Sequence, residues 1–339
     1  MNFYSGDIFS GCGGLTEGMN KAGFKTLFAV EIDTAAVETY KLNHKRTLII
    51  QKDVRKVTIA EIKRLLGKRK LHLLAGCPPC QGFSSVRTLN GANVMDDRNS
   101  LILEYLRFVK GLKPLTIMIE NVPALKNYYL FKEMVVRLQE MGYSLSIDTV
   151  NVKDYGVPQR RKRLVLLGSL LDEISIAAND YKPRSVRDAI GKIEPVSRTK
   201  DFMHKIYPKH SDRIQRMIRS VPKNGGGRRQ IHWKYRLKCH QNENVGFNDI
   251  YGRLRWDDYS TTITGGCLNP SKGRFLHPTK NRTITAREAA LLQSFPKKYK
   301  FYRKASKDDI ALMIGNALPP RFSRIQSRNI HKHLKNNLG

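Results

Sequence analysis

The chain is short of acid. Its 339 residues carry 29 Asp and Glu against 61 Lys and Arg, a formal charge of +32. Solubility needs far less than that, so the excess points to a polyanionic partner. No run of about 18 apolar residues occurs, which argues against a membrane-spanning helix. A long amphipathic basic helix for a membrane surface is also missing. The N-terminus lacks the basic-then-apolar pattern of a secretory signal, and Met1 leads almost directly into a strand-like segment, so a cytoplasmic protein is expected. Cysteine is sparse: five residues, an odd number, scattered as suits free thiols in a reducing compartment. There is no internal repeat and no low-complexity tract.

The basic residues are concentrated. Between His204 and His240 stand eleven Lys and Arg (Lys205, Lys209, Arg213, Arg216, Arg219, Lys223, Arg228, Arg229, Lys234, Arg236, Lys238) against Asp212 alone. Tyr207, His232, Trp233 and Tyr235 are interleaved with them. Cations that track phosphates, mixed with aromatics that touch bases, are what a nucleic-acid surface contains; a solvated charged face is the alternative.

The first half alternates apolar strand-like runs with helical patterns. Strands are expected at Tyr4–Phe9, Thr26–Val30, Thr47–Ile50, Leu71–Ala75, Thr116–Glu120, Leu145–Val150 and Leu164–Gly168. Helices are expected at Thr34–Leu42, Ile59–Leu66, Leu101–Lys110 and Leu130–Met141, with Thr58-Ile-Ala-Glu61 a capping box. This alternation predicts an α/β fold, a mostly parallel sheet with helices on both faces. From about 172 to 285 the alternation fades into Lys, Arg, Gly, Pro and Asn, a second, irregular and basic domain. Regularity returns at the capping box Thr285-Ala-Arg-Glu288, and a last helix is expected near Pro320. The domains are therefore expected at 1–171, completed by 305–339, and at 172–304.

Asp7-Ile-Phe-Ser-Gly-Cys-Gly-Gly14 follows the first strand and opens a helix, with glycines that permit tight turning and close approach to a ligand. Glu31 ends the second strand, at the usual place for an acid on ribose hydroxyls, and Asp53 follows the third. The third glycine of the dinucleotide fingerprint is replaced by Thr16, so a pyrophosphate cradle is poorly supported. An adenosine ligand without phosphates fits better, and S-adenosyl-L-methionine is the obvious one.

Gly76-Cys-Pro-Pro-Cys-Gln-Gly-Phe-Ser84 places Cys80 beyond the end of a buried strand, where open α/β sheets put their chemistry. Three readings compete at this point: a buried structural thiol, a Cys77/Cys80 redox pair, or a nucleophile. Zinc would need two more ligands, and Cys12, Cys239 and Cys267 form no second pair of that spacing, so no metal is expected.

Taken together these segments resemble the DNA (cytosine-5) methyltransferases of bacterial restriction-modification systems. Six motifs stand in family order: Asp7–Gly14, Pro78-Pro-Cys-Gln-Gly-Phe-Ser84, Glu120-Asn-Val122, Gln159-Arg-Arg-Lys-Arg163, Arg287-Glu-Ala-Ala-Leu-Leu-Gln-Ser-Phe-Pro296 and Ile314-Gly-Asn-Ala-Leu-Pro-Pro320. The resemblance implies methyl transfer from S-adenosyl-L-methionine to carbon 5 of a flipped cytosine in double-stranded DNA, leaving S-adenosyl-L-homocysteine. It implies Cys80 as the nucleophile at carbon 6, Glu120 at N3, and Arg161 and Arg163 hydrogen-bonding the base and orienting Glu120 or stabilising the thiolate, with Asn121 and Gln159 in support. For the cofactor it implies Asp7, Phe9, Gly11, Gly13, Gly14, Glu31, Ile32, Asp53, Val54, Pro79, Leu101, Asn316 and Ala317. For DNA it implies Gln81, Ser84, Arg87, Arg228, Arg229, Thr262 and Thr264, with the basic region as the target-recognition domain. A monomer and a cognate restriction endonuclease are further expectations. An RNA cytosine-5 methyltransferase and a catalytically silent DNA-binding relative are the alternatives. The first is disfavoured by Gln81-Gly-Phe-Ser84 and the long basic domain, the second by the intact Cys80, Glu120 and Arg161.

Overall fold

The computed structural model describes residues 2–79, 100–237 and 249–339, and the chain divides into two compact units. The first comprises Met1–Tyr155, Lys162–Asp180 and Leu318–Gly339; the second comprises Gly156–Arg161 and Tyr181–Ala317.

The first unit is built on a seven-stranded sheet of order β3-β2-β1-β4-β5-β7-β6. Its strands are β1 Tyr4–Ile8, β2 Lys25–Glu31, β3 Leu48–Gln51, β4 Leu73–Gly76, β5 Thr116–Asn121, β6 Ser144–Asn151 and β7 Lys162–Ser169. β3 through β5 run parallel, and β7 is antiparallel to both β5 and β6. Every segment expected as a strand is one. β4 and β5 are buried along their whole length, because central parallel strands are covered on both faces.

The helices of this unit are α1 Gly14–Lys21, α2 Thr34–Asn43, α3 Ile59–Leu66, α4 Leu101–Leu112, α5 Tyr129–Glu140 and, after the second unit, α11 Pro320–Leu338. Right-handed crossovers put α1 and α2, which move the chain from β1 toward β3, on one face; α3 and α4, which move it back to β4 and on to β5, lie on the other. Ile62 and Leu66 of α3, with Ile102, Tyr105, Leu106, Phe108 and Val109 of α4, supply that second layer. α11 docks on α1, where Ser323 Oγ donates to Leu15 O at 2.7 Å. Thr58 caps α3 by accepting from Glu61 N, but the expected reciprocal half of the box is absent: the Glu61 carboxylate pairs instead with Lys52 at 2.9 Å.

The second unit is largely irregular, as its composition predicts, with short helices α6 Val186–Ile190, α7 Phe202–Lys205, α8 Asp212–Ser220, α9 Ala286–Leu292 and α10 Lys307–Asn316. The capping box at Thr285 is complete, with both reciprocal bonds to Glu288. A small apolar core of Met217, Ile218, Val221, Ile231, Tyr251 and Leu276 underlies the basic region. Beside it lies Arg253, 0% exposed. Its guanidinium donates to Val221 O, His277 O, Lys280 O, Ile218 O and Asn281 Oδ1 at 2.5–3.0 Å. The return to the first unit falls at Leu318 rather than at 305. α10 packs on α9, and the carbonyls at its C-terminal end accept from Gln293 and Arg161, which ties 307–317 to the second unit.

Candidate active site

In the first unit the chemistry-bearing residues collect at the carboxyl ends of β1, β2, β3, β4 and β5, the edge where parallel sheets place ligands. Asp7 on β1 is fully buried. Its Oδ2 accepts from Thr16 Oγ1 at 2.5 Å, and that hydroxyl lies 2.9 Å from Tyr40 Oη. Asp7 Oδ1 meets no hydrogen-bond donor among the described residues. Burial pushes the carboxyl up to about 7. Beyond it, Phe9 adopts a left-handed φ of 62°, a conformation that costs a bulky residue roughly 1–3 kcal/mol and recurs at functional sites. Gly11 (φ 52°) has nothing within 4 Å of where a Cβ would stand, so the loop leaves open space there. Gly13 (φ 92°) caps α1, and Gly14 begins it.

Glu31, at the end of β2, is held by three backbone amides: Gly11 N on Oε2 and Ile32 N and Asp33 N on Oε1, at 2.8–2.9 Å. The carboxylate is thereby fixed against the glycine loop, and burial raises its pKa. Ile32 beside it is 63% exposed, an apolar surface next to a fixed acid. Asp53, after β3, is gripped by Arg55 through both oxygens at 2.5–3.1 Å, which holds its carboxyl down at about 2. Val54 is buried; Pro79 and Leu101 are half-buried. Fixed acids, an exposed apolar side chain, open space at Gly11 and an unmet buried carboxylate oxygen suit a ligand with ribose hydroxyls, an adenine ring and positive charge. Asn316, exposed, and Ala317, half-buried, end the second unit.

The raised pKa of Asp7 has a stability consequence. Between the unfolded value near 3.8 and the folded value near 7 the folded state holds a proton that the unfolded chain releases. The penalty is absent below pH 3.8, grows through this window and is complete above pH 7. Asp7→Asn should therefore raise the melting temperature of the ligand-free protein at pH 8, by the equivalent of a few kcal/mol, and have little effect at pH 4. Thermal unfolding at the two pH values checks this; a variant less stable at pH 8 contradicts the buried-charge account.

Glu120 lies at the end of β5, 5% exposed. Arg163 on β7 brings Nε to 2.7 Å from Glu120 Oε1, an ion pair off the line of a hydrogen bond. Gly76 pairs with Ile119 across the β4–β5 ladder, so the next rung brings Cys77 beside Glu120. The Cys77 thiol is pushed up by burial and by that carboxylate, which leaves it protonated. Asn121 Nδ2 donates to Pro78 O at 2.8 Å and fastens the Pro-Pro step to β5. Cys80, Gln81, Ser84 and Arg87 lie outside the described residues.

The two arginines expected to share one task are placed differently. Arg163 pairs with Glu120 in the first unit, whereas Arg161 belongs to the second and donates to Ile263 O and Gly315 O at 2.9 Å. Gln159 accepts from Ile263 N at 2.8 Å and donates to Gln293 Oε1 at 2.7 Å; Gln293 donates to Ile314 O at 2.6 Å. Gly315 is obligatory there, since a Cβ would stand 2.1 Å from Gly265 N and the Thr264 carbonyl carbon. These bonds clamp Thr261–Thr264 between the Gln159–Arg161 strand-like run and the end of α10. Within that turn Thr262 Oγ1 donates to Arg160 O at 2.7 Å, and Thr264 is exposed. The motif Arg287–Pro296 contains Gln293 without marking its buried role, and Arg253 lies in no motif: nothing in the sequence around either signals full burial.

Burial also sorts the basic region. Arg228 is 5% exposed, whereas its neighbour Arg229 is exposed. Arg213, Arg219, Lys223, Trp233, Lys234 and Tyr235 are described residues of the same unit.

The sequence model of the C-5 cytosine-specific DNA methylase family matches residues 3–332. The type II methylase M.HgiDII of Herpetosiphon aurantiacus is 32% identical, over 97% of this chain and 95% of its own. The type II methyltransferase M1.HphI of Haemophilus parahaemolyticus is 30% identical, over 94% and 84%. Among solved structures, a DNA modification methyltransferase encoded within an E. coli prophage superposes with a TM-score of 0.71 at 24% identity, covering 98% of this chain and 100% of that one. At that identity the superposition speaks for the fold.

Proposed function

The chain belongs to the C-5 cytosine-specific DNA methylase family and is a DNA cytosine-5 methyltransferase, and from that premise we propose how its own residues carry the reaction. Carbon 5 of cytosine is a poor nucleophile. Attack of the Cys80 thiolate on carbon 6 makes carbon 5 enamine-like. The attack places electron density on the ring, which a hydrogen bond or proton from Glu120 at N3 relieves. Arg163, 2.7 Å from Glu120, orients that carboxyl and balances its charge. Once carbon 5 carries the methyl group, loss of its proton to solvent expels Cys80 as the thiolate and restores the 5,6 double bond of the ring.

S-adenosyl-L-methionine, when bound, supplies the electrophilic methyl on a sulfonium. Glu31, held by its three amides, would take the ribose hydroxyls, and Asp53 the adenine amino group. Ile32 and Phe9 would cover the ring, Gly11, Gly13 and Gly14 would line the methionine chain, and Asp7 would answer the positive charge. Val54, Pro79, Leu101, Asn316 and Ala317 complete the proposed set. The second unit would read the target, with Arg229, Thr262 and Thr264 toward DNA; Gln81, Ser84 and Arg87 belong to the same assignment. Among the described residues no helix is long and apolar enough to cross a membrane, and we assign its action on DNA to the cytoplasm. We assign the enzyme as a monomer paired genetically with an endonuclease of the same specificity.

The observation that carries this reading is the buried Glu120–Arg163 pair at the end of β5, one rung from the segment that leads to Cys80. Bisulfite sequencing of DNA from a host expressing the chain tests it. Protected cytosines in one sequence context are expected, and their absence would refute the activity. DNA retention should also fall steeply with salt, by about a thousandfold between roughly 50 and 200 mM, as counterion release requires. A nearly flat salt dependence in filter binding would contradict the role of the basic region.

A further inference from the structure

The second unit exposes aromatic side chains among many positive charges. From Ser211 to Leu237 there are eight Lys and Arg (213, 216, 219, 223, 228, 229, 234, 236) and one acid, Asp212. In their midst Trp233–Tyr235 form one turn of 3-10 helix. Trp233 is 67% exposed and Tyr235 40%. An indole left in water is unusual, because it forfeits apolar burial that a side chain of this size normally gains.

The turn is rigid where it meets the protein. Ile231 before it is buried in the cluster of Met217, Ile218 and Leu276, and Leu237 after it packs on the same cluster. Arg236 donates to Ile231 O at 3.1 Å and to Arg229 O at 2.8 Å, which closes the loop at its base. His232 Nδ1 accepts from Lys234 N at 3.3 Å and caps the turn. The His232 ring leans on the indole, centroids 5.7 Å apart at 32°, and Lys234 Nζ lies 5.1 Å from the centre of the Tyr235 ring. Tyr207 and Trp256 of the same unit are engaged: Arg282 covers Tyr207 at 5.6 Å, and Trp256 packs edge-on against His277 and beneath Arg187.

We infer that Trp233 is a base-stacking contact, whose indole covers the face of a DNA base that opening of the duplex unstacks. The inference rests on the methyltransferase reading, since extruding a cytosine is what exposes base faces. Charge decides the partner: the flanking cations draw a phosphate chain, and every base offers a π-face to a fixed indole. The rigid base of the turn means that little side-chain order is lost on stacking.

The chain has two tryptophans, Trp233 and Trp256, so fluorescence isolates the contact. Full-length Trp256→Phe is titrated with oligo(dT), whose weakly stacked bases supply open faces without a recognition sequence. Quenching is expected there and not in Trp233→Phe. Trp233→Ala should lose about tenfold in oligo(dT) affinity with the slope against salt unchanged, because no phosphate contact is removed. Trp233→Phe should retain most of the affinity. Unquenched Trp256→Phe, native affinity in Trp233→Ala, or a changed salt slope would each overturn the assignment. Bisulfite sequencing with Trp256→Phe reports the methyltransferase reading separately: protected cytosines without quenching sink the stacking contact alone, and no protected cytosines sink both.

Discussion

Methyl transfer is expected to vanish in Cys80→Ser and to fall by about a thousandfold in Glu120→Gln, with DNA retention kept in both. The serine hydroxyl ionises far above the thiol, so the attacking anion is missing at neutral pH. Glutamine preserves the size of Glu120 and a donor toward N3, but it can neither carry a proton nor balance Arg163. The geometry makes this separation clean. Glu120 is buried at the end of a fully buried strand, and its charged neighbour is Arg163 at 2.7 Å. Arg163→Met should lower the rate as well, because it leaves a buried carboxylate without its cation. Transfer of labelled methyl to DNA, with filter binding on the same preparations, measures both quantities. A Glu120→Gln enzyme near the native rate would remove Glu120 from the mechanism.

Arg253→Met should unfold the second unit at a much lower temperature, at a cost of about 3–5 kcal/mol. The guanidinium is 0% exposed and donates to four backbone carbonyls and one side-chain oxygen. No carboxylate stands among those acceptors; burial pulls its pKa to about 10, still charged at neutral pH. Methionine fills the volume but abandons the carbonyls of Ile218, Val221, His277 and Lys280 in the interior. Lysine offers one nitrogen in place of a planar fork and should recover only part of the loss. Thermal unfolding and limited proteolysis within 181–317 check this. A variant that melts like the parent would show that the carbonyls find other donors.

The strands and the loop acids were legible because burial imposes a period and glycine a conformation. β4 and β5 read as continuous apolar runs since both of their faces are covered, and Glu31 could be placed because parallel strands end at one edge. Thr58 was harder. Its cap is visible in sequence, yet the reciprocal bond depends on whether Glu61 finds Lys52, and that pair is set by β3 and α3 meeting in space. The basic region gave its composition and not its use: Arg228 and Arg229 are adjacent, one buried and one exposed.

By itself, then, the sequence determined the sheet, the glycine loop after β1, the acid at the end of β5 and the strongly basic charge, all of which follow from local periodicity, glycine placement and composition. Only the tertiary structure decided that Arg163 rather than Arg161 supplies the in-unit partner of Glu120. It alone decided that Arg253 and Gln293 are interior scaffolding, and that Trp233 stands out in solvent on a fixed turn. Those outcomes depend on which carbonyls and rings are brought together across more than a hundred residues of chain in some cases, as for Gln159 and Gln293, and no local pattern records them.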